Sequence, residues 1–244
     1  MNSLEKLPPN RPPSSADRSN PPIPADAAVP PGEFFQRLWK VVALTTVLYV
    51  PYVLSNHFPV FTPRELPLSA LDAAIPFWTW TVVPYFLLIG GMYLPALVAD
   101  RRIFTTAMLA ILIGVVLNNL VFFLWPTTYP RPLAEPSDSL HAALYQFLIA
   151  VDTPGNCFPS AHITAPAIGC WALAQQFRRW RWLIYLIFIP FALSILTTKQ
   201  HYTLDLIGGL ATAGIGLLIA HKLTKRTSTG QPVATPDTFQ SSSR

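Results

Sequence analysis

The 244-residue sequence predicts an all-α fold, a six-helix transmembrane bundle with an amphipathic helix in one outer loop. Three observations carry that expectation. Hydrophobic residues make up 51% of the chain and charged residues 12%, against roughly 25% charged in a soluble domain. Polar residues are thus too few to cover a water-soluble fold of this size. The apolar residues fall into six runs, each long enough, or nearly so, for a helix to cross a hydrocarbon core of ~30 Å. Lys and Arg gather at alternate ends of those runs.

Residues 1–33 read as a disordered cytoplasmic tail. Nine of the 26 prolines lie in the first 31 residues, and so polar a segment buries too little to offset the entropy of ordering. The charged-then-apolar order of a secretory signal is absent, since the first apolar run begins only near Leu38. The membrane domain is expected over residues 34–223, with spans at Leu38–His57, Trp78–Ala99, Ile103–Trp125, Ala161–Phe177, Trp182–Thr198 and Leu204–Ala220. The fourth and fifth are short. Pro51, Pro84, Pro95, Pro166 and Pro190 fall inside spans, which membrane helices tolerate when neighbours satisfy the freed carbonyls. Between the third and fourth, Ser137–Val151 sets Leu140, Ala143, Leu144, Phe147, Leu148 and Val151 at helical spacing. That is the pattern of an amphipathic helix on a membrane surface. Residues 224–244, rich in Ser, Thr and Gln, read as a second loose tail.

One side of the bundle carries Arg37, Lys40, Arg101, Arg102, Arg178, Arg179, Arg181, Lys222, Lys225 and Arg226; the other has Arg64, Arg131 and Lys199. Ten against three predicts a multi-pass protein of a plasma or inner membrane with both termini cytoplasmic. The net charge of +5 is scattered in short groups, unlike a nucleic-acid stripe. Cys157 and Cys170 have no Cys or His neighbours at ligand spacing, so they set neither a disulfide framework nor a zinc site. Asn118 and Asn119 read as interhelical hydrogen-bonders, and Gly208, Gly209, Gly214 and Gly216 as close-packing positions. Asp138, His141, Asp152 and Asn156 read as solvated loop residues before any contact with a headgroup.

Three clusters fall on the outer side: Tyr129-Pro130-Arg131-Pro132, Cys157-Phe158-Pro159-Ser160-Ala161-His162, and Lys199-Gln200-His201-Tyr202-Thr203-Leu204-Asp205. Ser160 is a good N-cap, and the amides opening the fourth span form an anion site. His162, in its first turn, can give a proton to a leaving oxygen. His201 and Asp205 are spaced to share a helix face, so the acid can orient the ring and leave its other nitrogen free to attack. Asp205 is an intramembrane acid that needs a partner. Arg131 and Lys199 supply positive charge for a phosphoryl group. Each cluster alone has an ordinary reading: a snorkelling arginine, a helix cap, an interfacial histidine.

Together they resemble the type 2 phosphatidic acid phosphatase superfamily. Pro159, Ser160 and His162 match its Pro-Ser-x-His element. Ser194, His201 and Asp205 match its third motif, and Arg131-Pro132 its first. The resemblance spans about Leu38 to Leu223. It implies a His201 nucleophile that forms a phosphohistidine and is oriented by Asp205. His162 would then protonate the departing alcohol, while Arg131, Ser160 and the helix-start amides hold the phosphate. No metal or other cofactor is expected, because the sequence has no paired carboxylates, Walker loop or metal-ligand cluster. Two family cations are missing, their positions taken by Leu124 and Ile195. Lys199 is a candidate replacement on the same helical face, with Arg64 the other outer basic residue. The context Trp125 to Arg131, with Lys-Gln-His-Tyr-Thr-x-Asp, is closer to the inositol phosphorylceramide synthase and sphingomyelin synthase branch, whose members pass a phosphoryl-linked headgroup to a lipid alcohol. The expected activity is cleavage or transfer at a lipid phosphoester. The alternative, motivated by the missing cations, is a non-enzymatic phospholipid-binding protein or transporter.

Overall fold

A computed structural model describes residues 28–131 and 139–229. Pro132, Ser137 and Asp138 lie outside them, as do most of both tails. Eight α-helices are present among the described residues: α1 (Pro31–His57), α2 (Ala70–Ala74), α3 (Val82–Gly90), α4 (Arg101–Leu124), α5 (Leu140–Val151), α6 (Ala161–Gln176), α7 (Arg181–Thr197) and α8 (Thr203–Thr229). A 3₁₀ stretch, Gly91–Leu97, extends α3.

Local sequence accounts for the helix boundaries. Helix α1 opens with proline in its first turn, where no amide partner is lost; it therefore starts three residues inside the expected tail. Asp100 caps α4, accepting from the amides of Arg102 at 2.7 Å and Ile103 at 3.0 Å. The buried Arg37 guanidinium binds the carbonyls of Val98 and Ala99 and the Glu33 carboxylate, tying the start of α1 to the turn before α4.

Among the described residues, five segments are long and apolar enough to cross a membrane: Pro31–His57, Thr79–Leu97, Arg101–Leu124, Arg178–Thr197 and Thr203–Lys225. The protein is therefore a multi-pass membrane bundle. The remaining expected span is α6, with 16 residues, about 24 Å of helix. It is the most enclosed helix, touching α3, α4, α7 and α8 and burying residues on every side. Helix α5, at the position expected for the amphipathic helix, packs Tyr145 and Leu148 against Val82, Tyr85 and Leu88 of α3, and leaves Leu140 and Phe147 exposed.

Close approach of α6, α4 and α8 depends on small residues. A Cβ on Gly209 would lie 2.5 Å from the Ser160 carbonyl oxygen, and one on Gly216 would lie 2.6 Å from the Ala110 carbonyl oxygen. Gly214, the neighbour that also read as a packing position, has open space instead. Asn118 donates to the Thr164 hydroxyl at 2.8 Å and Asn119 to the Leu48 carbonyl at 3.1 Å, the interhelical bonds expected of them.

The loop after α1 is held at the other end of the bundle. Its strand β1 (Arg64–Glu65) pairs in parallel with β2 (Thr127–Thr128), which leads to Arg131. Further on, Ser69 and Asp72 form a capping box that starts α2. The Asp72 carboxylate also accepts from the Thr203 amide at 2.7 Å and its hydroxyl at 2.5 Å. It thereby caps α8 from a distant loop. Lys199 Nζ donates to the Asp72 carbonyl at 2.8 Å. Burial raises the Asp72 carboxyl, but the Ser69 and Thr203 hydrogen bonds outweigh it and hold it at about 2 instead of the ordinary 3.8.

Two predictions arise from this packing. Gly209→Ala should lower the melting temperature in detergent, because the new methyl meets backbone oxygen, whereas Gly214→Ala should hold or raise it. The Asp72 carboxylate stabilises the fold fully above pH ~4 and loses that contribution as pH falls through ~2. Asp72→Asn should therefore cost about 2 kcal/mol at pH 7, and the melting difference from wild type should shrink toward pH 2.

Candidate active site

The approach to His201 is shaped by the end of α7. The Gln200 amide bonds the Ile195 carbonyl at 3.1 Å, and the Lys199 amide bonds the Leu196 carbonyl at 3.1 Å. With Lys199 at φ 53°, this is the Schellman termination usually built on glycine. Lysine there carries the left-handed cost of roughly 1–2 kcal/mol, but its ammonium reaches Asp72. The turn delivers His201 to the start of α8, where Asp205 Oδ2 accepts from the Tyr202 amide at 2.9 Å. The same oxygen accepts from His201 Nδ1 at 3.1 Å.

His201 Nδ1 also faces the Cys157 carbonyl at 3.1 Å. Both neighbours of Nδ1 are oxygens that only accept, so this nitrogen carries the proton. Nε2 then holds the lone pair. It lies 3.3 Å from Ser160 Oγ and 3.1 Å from His162 Nδ1. Ser160 is the N-cap residue of α6, yet its hydroxyl makes no capping bond and faces His201 instead. Of the amides that open α6, those of Ile163 and Thr164 bond the Ser160 carbonyl at 3.2 and 3.1 Å, which leaves those of Ala161 and His162 at the free helix start. The Ser160 amide bonds the Asp205 carbonyl at 3.1 Å, locking the two helix starts together. His201 is 5% exposed and Asp205 fully buried, so the pair works away from bulk water.

Four expected site residues, His201, Asp205, His162 and Ser160, thus converge within hydrogen-bond reach. The two cations are placed differently. Arg131 donates to the carbonyls of Asp152 and Thr153 and pairs with Asp152 Oδ2 at 3.1 Å. Lys199 rests on the Asp72 carbonyl, and burial lowers its pKa, with the Asp72 charge opposing. Of the positions that lack the family cations, Leu124 is exposed and Ile195 is buried in the core. Arg64 contributes its backbone to the Thr127 pairing and exposes its side chain.

Sequence reasoning missed the contacts of four residues. Tyr85, buried in α3, sets its hydroxyl 3.2 Å from His162 Nδ1; nothing distinguishes it within an apolar run. Asp72 is joined to Thr203 across 131 residues. Asp152 and Asn156, read as solvated, are instead anchored to α1. Asp152 accepts from the Tyr52 hydroxyl at 2.9 Å, and Asn156, 3% exposed, donates to the Tyr52 carbonyl and the Ser55 hydroxyl. His141 is exposed as expected. Beside His162 opens a cavity of about 300 Å³, lined mainly by apolar side chains with Tyr52, Tyr85, Asn119 and Asp152 among them.

Among the described residues, Cys157, His201 and Asp205 bring potential metal-ligating atoms within 4.8 Å of one another. Burial pushes the Cys157 thiol well above its ordinary pKa, which favours the protonated form and disfavours a thiolate ligand.

No curated protein and no solved structure matches the chain at a significant level. A family comparison matches residues 73–219 to the PAP2 superfamily, a stretch that contains His162, His201, Asp205, Ser160 and Arg131. With a match over more than half its length, the chain belongs to the PAP2 superfamily of lipid phosphatases and phosphotransferases.

Proposed function

We propose that the protein is an integral membrane enzyme that cleaves or transfers the phosphoryl group of a lipid phosphoester through a phosphohistidine on His201. The observation that carries this reading is the position of His201 Nε2. Its lone pair faces Ser160 Oγ and His162 Nδ1, while Nδ1 is anchored on Asp205. Such a nucleophile, base-side anchor and adjacent acid make up the arrangement that nucleophilic catalysis requires.

In the first step Nε2 attacks phosphorus and the P–O ester bond breaks. The electron pair leaves with the alcohol oxygen, which takes a proton from His162 in its imidazolium form. In the second step an acceptor, water or an alcohol, gives its proton back to His162 as its oxygen attacks phosphorus, and the P–N pair returns to Nε2. Asp205 stabilises the charge that develops on the His201 ring. Ser160 and the Ala161 and His162 amides at the start of α6 hold phosphate oxygens, aided by the helix dipole. Arg131, which follows β2 and is held on the Asp152–Thr153 loop, serves the same oxygens. We assign Lys199 to holding the His201 loop through Asp72, with any phosphate contact secondary. The distribution of Lys and Arg favours both termini in the cytoplasm, six spans including α6, α5 along the outer surface, and a site at the outer face. The motif context favours the inositol phosphorylceramide synthase branch, hence an alcohol acceptor. The neutral residues at Leu124 and Ile195 motivate a second reading, a phospholipid-binding protein without turnover.

His201→Ala should lower turnover of labelled lipid phosphoesters by at least ~10³-fold, and Asp205→Asn by ~10²-fold or more, with the fold intact by melting. Full turnover in well-folded His201→Ala would refute the mechanism. Binding with no released phosphate and no new lipid in the wild type would favour the second reading.

A further inference from the structure

Tyr85 is a buried polar group to which the steps above give no part. It is fully buried in α3, packed against Tyr145 and Leu148 of α5. Among the described residues its hydroxyl has a single hydrogen-bond partner, His162 Nδ1 at 3.2 Å. The two rings meet edge to face, their centroids 5.5 Å apart, so the tyrosine also fixes the plane of the imidazole. Buried tyrosine hydroxyls keep a partner; here the partner is the proposed acid.

The same nitrogen of His162 lies 3.1 Å from His201 Nε2. Two groups therefore compete for one position on the ring. His201 Nε2 holds a lone pair, because its Nδ1 proton is committed to Asp205 and the Cys157 carbonyl, so the contact between the rings is favourable only with a proton on His162 Nδ1. That proton engages the electron pair that has to attack phosphorus. When attack begins it needs another acceptor, and the Tyr85 oxygen is the protein group already within reach, since a phenol both accepts and donates. His162 Nε2 has no protein partner among the described residues, and the ring lines the cavity beside the site.

We infer that Tyr85 is a positioning residue for the acid. As His201 Nε2 engages phosphorus, the His162 Nδ1 proton turns to the Tyr85 oxygen, which frees the nucleophile and leaves Nε2 as the nitrogen that serves the departing alcohol. The inference rests on the phosphohistidine reading above and deepens it. In the first step the P–N bond forms, the P–O pair leaves on the alcohol oxygen, and that oxygen takes the proton from His162 Nε2. The ring is then neutral, its Nδ1 proton still on Tyr85. In the second step the acceptor gives its proton to His162 Nε2 as the P–N pair returns to His201. Tyr85 neither loses nor gains a proton.

The test uses the purified full-length protein in nanodiscs. Its best substrate among phosphatidic acid, phosphatidylglycerol and phosphatidylinositol, with and without an alcohol acceptor, is compared with the ester in which p-nitrophenol replaces the departing alcohol. Nitrophenolate leaves without a proton. With the fold intact by melting, Tyr85→Phe should lower kcat/KM for the lipid by at least ~10-fold, part of what a positioned acid contributes. The loss on the nitrophenyl ester should be at least ~5-fold smaller. In a His162→Ala background, adding Tyr85→Phe should change turnover of that ester by less than about 2-fold, because a residue that acts through His162 has nothing left to position. Should Tyr85→Phe fail to fold, Tyr85→Met takes its place in each comparison. Unchanged lipid turnover in the folded variant, equal losses on the two esters, or the full loss repeated without His162 overturns the inference and leaves the phosphohistidine mechanism standing. A wild type that consumes none of the lipids overturns the proposed function itself, and this inference with it.

Discussion

Asp205 holds the site together through one residue's three bonds. Its carboxylate oxygen Oδ2 accepts from the Tyr202 amide, which starts α8, and from His201 Nδ1, which orients the ring. Its carbonyl accepts from the Ser160 amide, which fixes the start of α6 beside it. A fully buried carboxylate is costly unless paired or well hydrogen-bonded, so the two helix starts and the histidine are tied to one another. Loss of that carboxylate would release the cap and the ring together, while the backbone bond from Ser160 would remain.

The bundle is arranged to let those helix starts meet. Helix α6 is short and enclosed, and α8 approaches it only because Gly209 has no side chain to strike the Ser160 carbonyl. Long exposed helices on the outside present the apolar surface a bilayer covers, while polar residues inside are spent on interhelical bonds such as Asn118 to Thr164. The loop 58–77 and the segment 152–156 then close over the site from two directions. Asp72 reaches the start of α8 from the first, and Asp152 takes hold of Arg131 from the second.

Legibility in the sequence followed distance along the chain. His201 and Asp205 lie four apart, so spacing alone implied a shared face, and Ser160 and His162 were recognisable as the cap and first turn of one helix; the convergence of the two pairs across 41 residues is seen in the Ser160–His201 contact. The membrane bundle was legible because apolar runs of that length have few alternatives; α6 strained that logic because enclosure by other helices replaces length. Arg131 was recognisable as a phosphate ligand by residue type, but its pairing with Asp152 depends on the path of the intervening loop, which no local pattern encodes. The same holds for Asp72 and Thr203. Tyr85 was hidden because a tyrosine in an apolar helix has the same appearance whether its hydroxyl meets a lipid headgroup or a catalytic histidine.

The central claim is that His201 Nε2 takes the phosphoryl group. The most direct measurement is acid-free quenching of the wild-type enzyme during turnover of a phosphorus-labelled lipid, followed by peptide mapping of the labelled site. The account predicts label on the peptide containing His201, stable to base, labile to acid, and absent from His201→Gln. Turnover with no trappable label on that peptide, or label on a different residue, would contradict it.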